Sequence, residues 1–367
     1  MPRPTASLLA DSTVPIGSEF SLEDADIRIK RNEQGAFIPK AYRKYWVASG
    51  RDALLALTKG LRLSRGDELL LPSYICPEVI QALVPHVRVS YYPVKADLSI
   101  DVCSFKSCIC PTTRAVLLVH YFGFPHPQLD DVARACKDQG VMLIEDCVQA
   151  AFTKRNREAL GSVGEAAFCS LRKFLPIPDG GWLVTHTSLP IKLKDSPAHR
   201  DYARLREAVL RTKILNLRNP KRIPDSFFND VFKLADRGFG YPKPAPMARL
   251  SLDLLKRFPL SSWARQRRKN FQQLLQILPK KVRPVFRHLQ AGVVPLGLPI
   301  IVRRRDALQQ ELAAKRIYAP VHWRLNAVPQ EFEDAWELSR QLLTLPVDQR
   351  YEASDMGTIA RVIRHCA

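Results

Sequence analysis

The sequence predicts an α/β protein in which a mostly parallel sheet, covered by helices on both faces, precedes a smaller α+β unit. Two observations carry this reading. Short apolar runs, Leu69-Leu70-Leu71, Ala115 to Val119, Val141 to Ile144 and Ala166 to Cys169, recur between helical patterns, as strands buried on both faces do. His120, Asp146 and Ser170 stand at the ends of three of those runs, and in such sheets functional groups gather at the carboxyl ends of the strands.

Residues 1–45 are mixed and polar, with an acidic cluster from Glu23 to Asp26, and read as an N-terminal arm. After the apolar Tyr45-Trp46-Val47, Ser49-Gly50-Arg51 open a helix through Ala53 to Leu57, and the free N–H groups and dipole of such a start suit a phosphate. Gly66-Asp67-Glu68 turns into a strand over 69–72, Ser73-Tyr74 lead on, and Pro77 opens a helix to Val84. Val87 to Pro93 alternates as a strand. The next cycle gives a strand over 115–120, a turn at Tyr121-Phe122-Gly123, an amphipathic helix over 128–139 and a strand over 141–144 that ends in Glu145-Asp146. Strands over 166–169 and 182–185 bracket a loop that carries Lys173.

A helical stretch covers 200–215, and 216–247, with Pro220, Pro224, Pro242, Pro244 and Pro246, reads as the domain boundary. The chain thus divides into the arm 1–45, a large domain 46–245 and a small C-terminal domain 246–367. The small domain reads as helices over 249–278 broken at Pro259, a strand over 291–302, a helix over 306–315, a strand over 317–322, a helix over 332–342, a strand near Leu345 and a closing helix over 354–364.

Lys+Arg 56 against Asp+Glu 36 gives a formal net charge of +20, which alone suits a nucleic acid, an anionic surface or an acidic small substrate. The densest basic clusters, Arg265 to Lys269 and Arg303 to Arg305, lie within helix and strand-end patterns, with no zinc-finger spacing or interleaved aromatics, so no specific nucleic acid is expected. The eight cysteines fall mostly in apolar runs, and Cys108/Cys110 lack the two-residue gap of zinc or redox pairs. They read as reduced thiols, and no metal site is expected. The first residues hold only a Ser-Leu-Leu-Ala patch, and no run reaches the roughly 18 apolar residues of a membrane span. The expectation is a cytoplasmic protein with no membrane partner.

Within this frame the loop around Lys173 draws attention. The lysine follows a buried strand and is flanked by Phe174, Leu175, Pro176 and Ile177; apolar surroundings disfavour the ammonium and free the lone pair that attacks a carbonyl. That is Schiff-base chemistry. Asp146 either caps a helix over Cys147 to Phe152 or holds a buried cationic ring nitrogen, as pyridoxal phosphate requires. Gln149, one helical turn on, faces the same place.

The motifs SGRDAL (49–54), GDELLLPSY (66–74), VHYFGFP (119–125), IEDCVQA (144–150), SLRKFLPIPDGG (170–181), IYAPVHW (317–323) and LTLPVDQR (343–350) occur in that order. From Trp46 onward the chain resembles the DegT/DnrJ/EryC1/StrS family of pyridoxal-phosphate-dependent sugar aminotransferases, in a divergent branch. The resemblance implies the fold type I aminotransferase architecture and a homodimer that shares its active site. It implies that Lys173 binds the cofactor aldehyde, that Asp146 pairs with the ring nitrogen with Gln149 near the ring hydroxyl, and that Ser49, Gly50, Arg51 and Ser170 hold the phosphate. His120, Tyr121, His322 and Trp323 fall at positions near the sugar.

The chain also departs from the pattern. The spacing from Ser170 to Lys173 is two residues short, Arg51 replaces a Thr or Ser, and Cys76 stands where an aromatic stacks on the ring, which makes Tyr74 the candidate for that place. Met247 stands where a neighbouring subunit offers an asparagine. The activity implied is transfer of an amino group from an amino acid, glutamate by family analogy, to a keto-sugar, nucleotide-linked, in polysaccharide or secondary-metabolite biosynthesis. Two alternatives stand beside it: a non-catalytic descendant that binds pyridoxal phosphate or a sugar nucleotide, and a sugar dehydratase, whose relatives carry histidine in place of the lysine.

Overall fold

Continuous apolar runs can be strands only where both faces are covered, and the chain meets that condition in one large sheet. The computed structural model describes residues 15–22, 32–218, 223, 227–228, 230–231 and 244–366. Strands β1 (Ile16–Gly17), β2 (Arg43–Val47), β3 (Glu68–Pro72), β4 (Arg88–Tyr92), β5 (Thr113–Val119), β6 (Met142–Asp146), β7 (Lys154–Arg155), β8 (Glu158–Ala159), β9 (Ala166–Ser170) and β10 (Gly181–Thr185) come first. Seven of them form a sheet in the order β2-β10-β9-β6-β5-β3-β4. Neighbours from β9 to β4 are parallel, and β10 runs antiparallel to both β9 and β2. β3, β9 and β10 are buried along their whole length. The predicted fold class is therefore the one observed.

Register positions the chemistry. Val119 lies opposite Asp146, and Asp146 opposite Phe168, so His120, Asp146 and Ser170 emerge along one edge of the sheet. The β9–β10 connection, Leu171 to Gly180, carries Lys173 and returns the chain beside the strand it left, as an antiparallel neighbour can without a crossover helix. Gly180 makes that return possible. Its φ of +127° suits only glycine, its N–H donates to the Ala48 carbonyl at 2.7 Å and its carbonyl accepts from Leu171 at 2.9 Å.

Helices α1 (Gly50–Gly60), α2 (Pro77–Leu83), α3 (Val102–Ser107), α4 (Leu129–Asp138) and α5 (Pro197–Arg218) belong to this part of the chain. Ser49 caps α1 by accepting from the Asp52 N–H. Cys147 to Phe152 forms turns rather than a helix. The cap reading for Asp146 is corrected accordingly, although its Oδ1 does accept from the Val148 N–H at 2.8 Å and so begins the turn.

The C-terminal part holds α6 (Arg249–Leu255) and α7 (Leu260–Ile277), parted at Pro259 as expected, then α8 (Arg305–Ala314), α9 (Glu333–Gln341) and α10 (Ala353–Cys366). Strands β11 (Arg283–Pro284), β12 (Leu298–Ile301) and β14 (Leu342–Leu345) form an antiparallel sheet in the order β11-β12-β14. β12 is much shorter than the expected 291–302, because Gly292 (φ +79°), Pro295 and Gly297 keep the chain irregular before it. β13 (Ile317–Tyr318) is also short, and it pairs in parallel with β1.

Two expectations on domain limits change in detail. Arg43 to Tyr45, assigned to the arm, are part of edge strand β2. The described part of the arm is held from both parts of the chain: Arg350 donates to the Ser18 carbonyl at 3.0 Å and the Glu19 carbonyl at 3.1 Å and covers the Phe20 ring at 4.3 Å, while Lys213 of α5 donates to Ser18 Oγ at 3.1 Å and the Leu22 N–H donates to the Leu210 carbonyl at 3.2 Å. The acidic cluster Glu23 to Asp26 and Pro220, Pro224 and Pro242 lie outside the described residues. Among the described residues no helix is long and apolar enough to cross a membrane, and no cluster of His, Cys, Asp or Glu could hold a metal ion.

Candidate active site

Lys173 ends a 3-10 turn, Leu171–Lys173, closed by the Phe174 N–H on the Leu171 carbonyl at 2.9 Å. Phe174, Leu175 and Ile177 are buried as expected, while Lys173 itself is half-buried. It makes no hydrogen bond or ion pair among the described residues. Its charge nevertheless acts on Cys76, Asp146, Cys169 and His322, which places these groups around it.

Asp146 is 6% exposed. Burial pushes its carboxyl up to about 6, against the Val148 N–H and the charges of Lys173 and His120. Only Oδ1 has a protein donor, so Oδ2 remains open among the described residues. Gln149 accepts from the Phe122 N–H at 2.8 Å through Oε1, and its buried Nε2 has no partner. A buried amide donor left unpaired costs about 1–3 kcal/mol, a cost that an oxygen acceptor placed there would relieve.

At the other end of the site, the start of α1 faces a cavity of about 200 Å3 lined by Ser49, Arg51, Asp52, Leu55, Glu78 and Gln81. A Cβ at Gly50 would sit 2.9 Å from Val148 Cγ2, so glycine lets the helix start close in on the Asp146–Gln149 turn. The Ser49 hydroxyl is turned inward, donating to Asp52 Oδ2 at 2.5 Å. Burial raises the Asp52 carboxyl, opposed by Ser49 and by the Ala245 N–H at 2.9 Å. The Ser170 hydroxyl makes no hydrogen bond among the described residues.

The aromatic side of the site differs from expectation. Tyr74 is fully buried, its hydroxyl donating to the His322 carbonyl and accepting from the Trp323 N–H at 3.0 Å. Its ring packs at tilted angles on Tyr121 and Trp323, with centroids 5.9 Å and 5.5 Å away. Tyr74 therefore fastens the His322–Trp323 loop, and its assignment as a ring-stacking cofactor contact is corrected, because both ends of the side chain are occupied by protein. Tyr121 donates to the Tyr74 carbonyl at 2.6 Å. His322 hydrogen-bonds Thr344 Oγ1 through Nδ1 at 2.9 Å, and burial, with the Lys173 charge, pulls its imidazole down to about 3, so it is neutral.

His120 is also corrected. It has no exposed surface, its Nδ1 accepts from the His126 N–H at 3.0 Å, and its Nε2 faces Glu145 Oε2 at 2.9 Å, which fixes the proton on Nε2. No ring nitrogen is left for a substrate. Glu145, which the sequence reading passed over, has no exposed surface; burial opposes its charge, but His120 and the Gly164 and Val163 N–H groups hold the carboxyl below the usual range.

Arg267 was missed as well. The sequence shows it within a basic cluster, yet it is fully buried and covers the Phe174 ring at 4.7 Å. The signal was present in the spacing of Leu260, Ala264, Arg267, Phe271 and Leu274, which places the arginine on the buried stripe of α7.

Most of this arrangement lies in residues 42–195, which match the model of the DegT/DnrJ/EryC1/StrS aminotransferase family. That segment is similar to the family. The UDP-N-acetyl-3-dehydro-alpha-D-glucosamine 3-aminotransferase of Acidithiobacillus ferrooxidans is 30% identical to the chain over 146 residues, 38% of this chain and 38% of the relative. The chain thus aligns with well under half the length of this curated relative of the DegT/DnrJ/EryC1/StrS segment. Among solved structures, PseC of Helicobacter pylori, an aminotransferase involved in the biosynthesis of pseudoaminic acid, superposes with a TM-score of 0.69 at 16% identity, covering 96% of this chain and 99% of that one. Spr1654 from Streptococcus pneumoniae in its PLP form superposes with a TM-score of 0.68 at 12% identity, covering 96% and 100%. The two structures establish the aminotransferase fold over nearly the whole chain.

The residues present fit pyridoxal phosphate, the cofactor of this family. Lys173 has no partner among the described residues and its charge reaches Asp146, whose carboxylate keeps one oxygen open; the orphaned amide donor of Gln149 lies three residues on, with a helix start close by.

Proposed function

We propose that the protein is a pyridoxal-phosphate-dependent aminotransferase that moves an amino group from an amino acid, glutamate in our reading, to a nucleotide-linked keto-sugar. One observation carries the proposal: the Gln149 Nε2 donor is buried without a partner beside an Asp146 carboxylate with one oxygen open and a Lys173 amine without a counter-ion.

Pyridoxal phosphate, when bound, supplies an aldehyde for amine exchange and a ring that withdraws electrons from the carbon losing its proton. Asp146 Oδ2 would hold the proton on the ring nitrogen, an interaction that relieves the burial now raising its carboxyl. Gln149 Nε2 would donate to the ring hydroxyl. Lys173 Nζ would bind the aldehyde carbon and, when displaced by the donor, would serve as the base that carries the substrate carbon's proton through a 1,3-shift. The N–H groups at the start of α1, with Arg51 and Ser170, would hold the phosphate. Tyr121, His322 and Trp323, whose rings pack on one another, would line the mouth, where a neutral imidazole and aromatic faces suit a sugar. We further propose a cytoplasmic homodimer with an N-terminal arm, a large cofactor-binding domain and a small C-terminal domain.

The deciding experiment is the visible absorption spectrum of the purified protein with pyridoxal phosphate, before and after glutamate, beside Lys173→Ala. A band that moves to the pyridoxamine form with glutamate, and is lost or altered in the variant, supports the proposal. A wild-type protein that captures no cofactor overturns it. Capture without exchange for any amino acid favours instead a binding descendant, a reading to which the inward-turned Ser49 and the occupied Tyr74 lend support.

A further inference from the structure

The carbonyl of Phe174, the residue after Lys173, is held by the C-terminal part of the chain. Gln349 Nε2 donates to it at 2.8 Å and Arg267 Nη2 at 3.5 Å. Arg267 Nε donates in turn to Gln349 Oε1 at 2.7 Å, so the two side chains brace each other. The second arm of the guanidinium, Nη1, donates to the Pro295 and Leu296 carbonyls at 3.3 Å and 3.2 Å. Leu296 donates to the Phe122 carbonyl at 2.9 Å, and the Phe122 N–H donates to Gln149 Oε1. One buried cation therefore reaches the lysine turn by one route and the Gln149 amide by another.

We propose that Arg267, together with Gln349, is a positioning residue that sets where the Lys173 amine stands relative to Asp146 and Gln149; this rests on the reading of Lys173 as the reactive amine. Stability alone does not account for the arrangement. Burying a guanidinium is expensive, and a well-packed apolar side chain in such a place is often as stabilising. What an apolar residue cannot do is donate in fixed directions to several acceptors, and a planar fork can. Lysine, a point charge with rotatable donors, keeps the charge and loses that geometry.

The test is trace acetylation of the full chain by acetic anhydride across pH, read by mass spectrometry at Lys173 against solvent-exposed Lys137. Arg267→Lys and Gln349→Ala are compared with Arg268→Ala. Arg268 also donates to backbone carbonyls, of Gln290 and Val293, but does not touch Phe174. The expected result is a change on the order of tenfold in relative Lys173 reactivity, or a displaced pH midpoint, in the first two variants and neither in the third. Should Arg267→Lys not fold, Gln349→Ala decides alone. Unchanged Lys173 reactivity in Gln349→Ala, or an equal change in Arg268→Ala, overturns the proposal. Capture of pyridoxal phosphate by each protein, trapped with borohydride, is measured alongside. A wild-type protein that captures none sinks the aminotransferase reading, while the acetylation profile still decides whether Arg267 and Gln349 position the amine.

Discussion

Tyr74 and His322, distant in sequence, are joined by the Tyr74 hydroxyl, which donates to the His322 carbonyl and accepts from the next amide, that of Trp323. The end of β3 in the large sheet is thus fastened to the loop after β13. Tyr74→Phe keeps the ring contacts and removes both bonds. We expect a loss of roughly 1–3 kcal/mol from the two backbone groups left without a partner, measured by urea unfolding. If the proposed reaction holds, loosening this loop should raise KM for the keto-sugar while capture of pyridoxal phosphate stays close to wild type.

Asp146 gives a pH dependence whose sign is fixed. Its carboxyl lies near 6 in the folded chain and near 3.8 in an ordinary one, so the folded state binds the proton more tightly than the unfolded state. In cofactor-free protein this contribution to stability is full below pH 4 and lost as pH rises through 6, about 3 kcal/mol at most. Subtracting the unfolding free energy of Asp146→Asn from that of wild type at each pH isolates it. A flat difference between pH 4 and 7 would contradict the environment described. Pyridoxal phosphate should reverse the slope, because a cationic ring nitrogen favours the carboxylate.

Glu145→Gln should be the more damaging change for folding. The carboxylate accepts from the Val163 and Gly164 N–H groups and from His120, and an amide offers only one oxygen where the fold supplies three donors. We expect a loss of roughly 2–4 kcal/mol by guanidinium unfolding, larger than for Asp146→Asn, whose open oxygen has no protein donor.

Gly180→Ala meets two obstacles: a left-handed backbone, and Met247, whose side chain occupies the space a Cβ would need. A destabilisation of roughly 1–3 kcal/mol is expected. Because Gly180 holds the Leu171 N–H, slower cofactor capture should accompany the lower melting temperature. Met247→Ala in the same chain relieves the crowding but not the backbone, so it should restore only part of both.

The sheet and the Lys173 loop were legible because apolar runs, glycines and a strand-end carboxylate each obey a local rule. The helix expected to carry Gln149 one turn beyond Asp146 is a set of turns, in which Gln149 instead accepts from the Phe122 N–H, a contact that no local pattern reveals. What the sequence hid depends on partners far along the chain. Nothing local to Tyr74 reveals that its hydroxyl meets residues 322 and 323, and His120 and Glu145 satisfy each other only once β5 and β6 lie side by side. Arg267 was concealed by its neighbours: Arg265, Arg268 and Lys269 make the stretch look solvated, while helical spacing turns one member inward.

The pairing of Ile16-Gly17 with Ile317-Tyr318, backed by the Tyr351 hydroxyl on the Gly17 carbonyl at 3.0 Å, has a consequence for how the protein is made. Strands β2 to β10 can assemble while the ribosome is still translating, since each finds its neighbour within the first half of the chain. Ile16-Gly17 cannot. Leu22 and Ser18 can already meet Leu210 and Lys213, but the strand that pairs with Ile16-Gly17 is synthesised only near residue 317, so this loop closure, spanning most of the sequence, becomes a late event in folding. Nascent chains halted before residue 317 should therefore leave Ile16-Gly17 open to protease while the large sheet already resists it.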